Sequence, residues 1–303
     1  MATHISWADE VWNPSIGCTR VSDGCDHCYA FALHDQRHIA WKRGRMPDAP
    51  AQYHQPFSKV QLLPDRLDAP LHWRKPRRVF VNSMSDLFHE QVSDAFIDRV
   101  FAVMALTPQH TYQVLTKRPA RMQAYLLDEE IHRLGSNRVS DAAFSFPLWP
   151  DISETGFLQT GNWPLPNVWL GVSVENQRWA SRIVDLLATP AAKHFVSLEP
   201  LLSGIDLAPW LWVDCPSECV SWSHQLAGRR ARRGELDWVI VGGESGAQRR
   251  PMKLEWLTDI VAQCKAAGVP VFVKQSSALR PGQQGAIPDN VWALKQFPDQ
   301  VVR

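Results

Sequence analysis

The amino-acid sequence predicts an α/β fold, a parallel β/α TIM-like barrel carrying two insertions. Three observations predict it. Short apolar runs rich in β-branched residues recur along the chain, they lack the apolar/polar alternation of half-exposed strands, and helical segments separate them at regular spacing. Unbroken apolarity suits a strand covered on both faces, and parallel neighbours need a crossover between them.

The elements follow in order. A short strand is expected near His4–Trp7, then a cysteine-bearing loop and a helix over Tyr29–Arg43. Further strands read at Arg78–Asn82, Thr111–Leu115, Val168–Val172, His194–Leu198, Asp237–Val241 and Val269–Val273. Between them, Ser93 is placed to cap a helix over Asp94–Leu106, whose Phe96, Val100, Phe101 and Met104 fall on one stripe. Arg118–Leu134, Asn176–Leu187 and Lys253–Ala267 read similarly, with Gly268 as the last one's stop signal. Residues 136–166 and 209–236, rich in Pro, Gly, Ser and Trp, read as insertions within a single domain spanning 1–303.

Bulk properties narrow the function classes. The 303 residues are 45% hydrophobic, ample for a large core, and the formal net charge of +1 gives no overall field favouring nucleic acid or an anionic membrane. No apolar run reaches the roughly 18 residues of a membrane span. The polar, acidic start MATHISWADE lacks the build of a signal peptide, so a soluble cytoplasmic protein is expected, with no membrane partner. The basic clusters at Arg74–Arg78 and Arg229–Arg233 read as solvated loops.

In a β/α barrel the reactive residues gather at the C-terminal strand ends. Here those ends carry Asn82-Ser83-Met84-Ser85-Asp86, Thr116-Lys117-Arg118, Ser173-Val174-Glu175, Leu198-Glu199-Pro200, Gly242-Gly243-Glu244-Ser245-Gly246 and Lys274-Gln275. Polar and ionisable groups directly after one apolar run after another suggest a polar pocket.

At the same mouth lies the loop with Cys18, Cys25 and Cys28, with six and then two residues between them. Clustered thiols in a reducing compartment read as metal ligands or redox groups before disulfides. Three thiolates on one loop suit an iron–sulfur cluster with one iron open to an outside ligand. Zinc is the alternative, with His27, His34 or His38 as a fourth ligand; the four-residue spacing of His34 and His38 also fits exposed helical histidines. Glycines before Cys18 and Cys25 relieve the backbone there. Cys215 and Cys219, with His224 nearby, form a second group that reads as incidental to the later insertion, and Cys264 reads as a buried small hydrophobe.

These residues carry a resemblance. Trp12-Asn13-Pro14, the cysteine loop with Cys28-Tyr29-Ala30, Val81–Phe88, Leu115–Pro119, Gly171–Glu175, Ser197–Leu201 and Val241–Gly246 resemble the phage-encoded three-Cys-motif proteins, over nearly the whole chain outside the insertions. More distantly, the arrangement is similar to the radical S-adenosylmethionine superfamily, which builds a partial β/α barrel. That resemblance implies a 4Fe-4S cluster on Cys18, Cys25 and Cys28. It also implies S-adenosylmethionine on the open iron, an external electron donor, and reductive cleavage that lets the enzyme abstract hydrogen from a substrate. By position it implies Ser83, Ser85 and Asp86 at the methionine amino group, Ser173 and Glu175 at the ribose, and His27 near the adenine. Lys117, Glu199, Glu244 and Lys274 are then left for substrate or proton transfer. The three-Cys-motif resemblance implies a separately encoded partner protein. Its phage setting and the basic clusters point to nucleic acid or a nucleotide as substrate. The sequence departs from the superfamily in reading C-x6-C-x2-C where C-x3-C-x2-C is usual, and Gly242-Gly243-Glu244 is not the equivalent of that superfamily's earlier Gly-Gly-Glu. A zinc- or cluster-containing binding or redox protein without radical catalysis is the alternative.

Overall fold

The computed structural model describes residues 5–132, 137–146, 163–211 and 236–298. They belong to two compact units, one of Ala8–Val168 and one of Met1–Trp7 with Trp169–Arg303.

The first unit is built on three parallel strands. Strand β1 (Glu10–Trp12) lies beside β4 (Arg78–Val81) with Val11 opposite Phe80, and β4 lies beside β5 (Thr111–Thr116) with Val79 opposite Tyr112. A short antiparallel pair, β2 (Ser15–Ile16) with β3 (Gln61–Leu62), follows β1. Helix α1 (Tyr29–Lys42) comes after the cysteine loop, and α2 (Asp94–Leu106) makes the crossover from β4 to β5. Ser93 stands at the N-cap of α2 as expected, but its side chain accepts no capping bond. Helix α2 is buried over Phe96, Ile97 and Val100–Leu106, far wider than one stripe, because the helix Arg138–Ala143 also packs on it. Part of the first expected insertion is therefore ordered helix; residues 147–162 of it lie outside the described residues.

The second unit holds β6 (Val168–Ser173), β7 (Lys193–Leu198), β8 (Trp238–Gly242) and β9 (Val271–Gln275), parallel and adjacent in that order. Helix α4 (Arg182–Leu187) lies between β6 and β7, and α5 (Leu254–Ala267) between β8 and β9; α3 (Pro119–Leu126) belongs to the first unit. Strands β6 and β8 are buried along their whole length, as unbroken apolar runs require. Trp238, fully buried, makes ring contacts with Trp7, Trp169, Phe195 and Phe272. Gly268 ends α5 in the left-handed conformation, φ 68°, and Cys264 is buried within that helix, its thiol pushed up to about 12 by burial.

The fold class is thus the expected one, α/β with parallel strands and helical crossovers, of the partial TIM-like barrel kind. Several boundaries differ. Residues Ile5–Trp7 are not a strand; the first strand is Glu10–Trp12, where Val11 and Trp12 find partners on β4. The helix expected over Arg118–Leu134 is broken after Leu126, and Asp128 accepts from the Glu130 amide at 3.0 Å to start the separate turn Glu129–His132. Asn176–Leu187 opens with a 3-10 turn at Gln177–Ser181 before α4. The last strand starts at Val271, since Pro270 has no amide to give the ladder. Residues 212–235, with Cys215, Cys219, His224 and Arg229–Arg233, lie outside the described residues. Among those described, no helix is long and apolar enough to cross a membrane.

Gly171 in β6 gives a direct test of the second unit's packing. A Cβ there would stand 2.4 Å from the buried Phe195 ring. Gly171→Ala is expected to lower unfolding stability by about 1–3 kcal/mol, read from the urea midpoint, because a full core must shift to admit it.

Candidate metal centre

The cysteine loop is fixed to the ends of β1 and β4 by its own polar side chains. Asn13 Oδ1 accepts from the Met84 amide at 3.0 Å, and Asn13 Nδ2 donates to Ser83 Oγ at 3.1 Å. Ser85 Oγ donates to the Ser15 carbonyl at 2.9 Å, and Asn82, held at φ 61°, donates from Nδ2 to Ser15 Oγ at 3.2 Å. Asn is among the few non-glycine residues that tolerate this left-handed backbone. Tyr29 Oη reaches across to the Ser83 carbonyl at 2.6 Å.

Gly17 has the conformation expected of a relieving glycine. Its φ is 101°, and a Cβ would meet the carbonyl oxygens of Lys59 at 2.5 Å and Phe57 at 2.9 Å. Gly24, in the 3-10 turn Asp23–Cys25, has no positive φ. Next to Gly17, the Cys18 amide donates to the Phe57 carbonyl at 2.9 Å. Cys25 closes its turn on the Ser22 carbonyl at 2.8 Å, and Cys28 is the N-cap residue of α1.

Cys18, Cys25 and Cys28 are free thiols, Cys25 buried and the other two half-buried. Cys18 and Cys28 pack with Met84 against one apolar cluster of Ile16, Ala30, Phe31 and Phe57. Among the described residues, no three or more His, Cys, Asp or Glu side chains form a group ready to hold one metal ion. His27 is half-buried on the turn between Cys25 and Cys28. One ring nitrogen of each of His34 and His38 is engaged on backbone: His34 Nε2 meets the Gln52 carbonyl at 3.0 Å and His38 Nδ1 the Tyr53 carbonyl at 2.8 Å, tying Ala51–His54 to α1.

Beneath the loop lies a buried charge pair. Asp86 Oδ1 accepts from the Phe88 amide at 3.0 Å and from Thr116 Oγ1 at 2.7 Å. Its Oδ2 accepts from the Lys117 amide at 3.1 Å and from Arg118 Nη1 at 3.2 Å, so both oxygens carry two donors. Arg118 donates further to Glu90 Oε1 at 3.0 Å, to Thr19 Oγ1 at 2.8 Å, to the Thr19 carbonyl at 3.2 Å and to Cys18 Sγ at 3.6 Å. His89 Nδ1 accepts from the Gln91 amide at 3.1 Å, which leaves Nε2–H to donate to Thr19 Oγ1 at 2.9 Å; burial and the Arg118 charge lower the pKa of the ring. Burial, with Asp86 adding, pushes the Cys18 thiol up to about 11 against the opposing pull of Arg118.

In the second unit the expected residues form ion pairs. Glu175, fully buried, takes Arg182 at 2.9 Å, and the same guanidinium donates to the Ser173 carbonyl at 2.8 Å. Glu199 meets Lys274 at 2.5 Å, both partly open, and Glu244 takes Arg250 through both oxygens at 2.7 and 3.0 Å. The structure therefore joins Cys18 with Asp86, Glu199 with Lys274, and Ser173 with Glu175 through Arg182. Lys117 belongs to the Asp86 network through its backbone amide. The sequence gives Thr19 and His89 no place at the site; Asn13, Tyr29 and Arg118 stand in its motif stretches, Arg118 also at a helix start, without the roles found here.

One family description, "Protein of unknown function (DUF5131)", matches residues 2–292. No curated protein and no solved structure matches the chain.

Two outcomes follow from this geometry. Asp86→Asn removes the buried counter-charge of Arg118 and leaves it only the exposed Glu90 carboxylate, so it is expected to cost roughly 3 kcal/mol in denaturant unfolding. In metal-free protein, iodoacetamide should label Cys18 slowly at pH 8 and faster as pH approaches 11, tracked by mass spectrometry of its peptide.

Proposed function

We propose that this chain, which belongs to the DUF5131 family, holds an iron–sulfur cluster on Cys18, Cys25 and Cys28 and serves radical S-adenosylmethionine chemistry. The observation that carries the reading is three free thiols on one short loop, two of them around a single apolar patch and still partly open. Such a donor set fits a multinuclear cluster, in which each thiolate takes a different iron, better than a single ion.

When bound, the cluster supplies one-electron reduction, here directed at the sulfonium of S-adenosylmethionine. The chain's own part is to ligate, orient and shield. Asn13, Ser15, Asn82, Ser85 and Tyr29 hold the loop against the strand ends. Asp86 and Glu175 act through their arginines, as positioning residues, because internal donors already take up the first and full burial closes off the second. His27, Ser83 and Ser173 are assigned to the nucleoside and methionine, while the Ser85 hydroxyl stays with Ser15. Lys117, Glu199 and Lys274 are assigned to substrate, whereas Glu244, with both oxygens taken by Arg250, holds its strand end in place. Glu199 and Lys274 are the partly open pair suited to moving a proton. The same reading places the chain among the phage three-Cys-motif proteins in the cytoplasm, with an external electron donor, a separately encoded partner and a substrate of nucleic-acid class.

Anaerobic reconstitution should load about four irons and four sulfides per chain. Cys18→Ala, Cys25→Ala and Cys28→Ala should each lose the iron while keeping the circular dichroism of the folded chain. With S-adenosylmethionine and a strong reductant, the loaded protein should release 5′-deoxyadenosine. Stoichiometric zinc without iron contradicts the cluster, and a loaded protein that releases no nucleoside contradicts the chemistry alone.

A further inference from the structure

We propose that Arg118 is a positioning residue for the cluster, holding Cys18 through a hydrogen bond to its sulfur and stabilising the negative charge gained on reduction. This rests on the cluster reading and extends it to the group that sets the energy of the electron.

The guanidinium is built for that place. Its side chain is only 5% exposed, yet it is fully engaged: Asp86 and Glu90 take it from one side, Thr19 Oγ1 and the Thr19 carbonyl from the other, and Cys18 Sγ lies 3.6 Å from Nη1. Arginine stays charged at every working pH, and its planar fork fixes the direction of each N–H. Two bonds to Thr19, the residue after Cys18, lock the backbone that carries the sulfur. His89 backs the same hydroxyl at 2.9 Å, so Thr19 cannot turn away. An ion pair serving stability alone needs only Asp86; the grip on Thr19 and the donor at sulfur are extra, and both converge on one ligand.

Of the two carboxylates paired with Arg118, Asp86 is buried and opposes reduction, whereas Glu90 is two-thirds exposed and screened by water. Arg118 offsets Asp86 at close range and in a dry setting, where charge counts most. Hydrogen bonds to cluster sulfurs and local net charge set the reduction potential of such centres.

The test uses the full chain, reconstituted anaerobically, with the midpoint potential followed by electron paramagnetic resonance. Arg118→Gln, neutral but still able to donate to Asp86, should shift the potential to more negative values and alter the reduced spectrum. Arg118→Lys retains the cation and its pairing with Asp86. One ammonium cannot serve Asp86, Thr19 and Cys18 together, so this variant should recover part of the shift. Should the Gln variant fail to fold, the Lys variant still reads against the wild-type chain. A folded, cluster-loaded variant of either kind with the wild-type potential and spectrum overturns the role of Arg118 while leaving the cluster standing. A wild-type chain that takes up no cluster overturns the reading beneath it.

Discussion

The carboxylate of Asp86 is the constraint on which the first unit's functional end depends. A buried carboxylate is tolerated only when its lone pairs are met, and here four donors from two stretches of chain meet them. Phe88 lies just beyond β4, Thr116 and Lys117 at the end of β5, and Arg118 at the entry to α3. One anion thus fixes two strand ends and a helix start. Arg118, oriented by it, hands the constraint on to Thr19 and Cys18. The cysteine loop is therefore positioned by electrostatics reaching out of the strand ends as well as by its packing on Ile16, Ala30, Phe31 and Phe57.

The second unit follows the same logic with different degrees of closure. Glu175 is fully buried against Arg182 and Glu244 nearly so against Arg250, while Glu199 and Lys274 keep part of their surface. Burial and pairing turn a carboxylate from a reacting group into a structural one, since freeing it leaves its partner as an unpaired buried charge. The strand ends accordingly carry two kinds of polar residue, those that hold the ends in place and those left with access to solvent.

Much of this was legible in the sequence, and the reasons are physical. Strands such as Val168–Ser173 and Trp238–Gly242 announce themselves because burial on both faces forbids polar interruption. Gly268 marks its helix end because few other residues accept that backbone, and Gly17 precedes Cys18 because carbonyl oxygens crowd the place of a Cβ. The residue types at the strand ends were also visible. Their partners were not: a carboxylate that ends a strand looks the same whether an arginine takes it or solvent does, and the arginines of Asp86, Glu175 and Glu244 are identified only in three dimensions. The first strand lies later than expected because both Ile5–Trp7 and Val11–Trp12 carry a β-branched residue and a tryptophan, and only pairing with β4 separates them. His34 and His38 have ligand spacing, but one ring nitrogen of each meets a backbone carbonyl, which no periodicity reveals.

The central claim is that Cys18, Cys25 and Cys28 bind iron as sulfur ligands of one cluster. Mössbauer spectroscopy of protein loaded anaerobically with iron-57 tests it most directly. The account predicts the isomer shifts of tetrahedral, sulfur-ligated iron in a four-iron centre, absent from the chain in which all three cysteines are replaced by alanine. Iron in nitrogen and oxygen coordination, or a spectrum that survives the triple replacement, would contradict it.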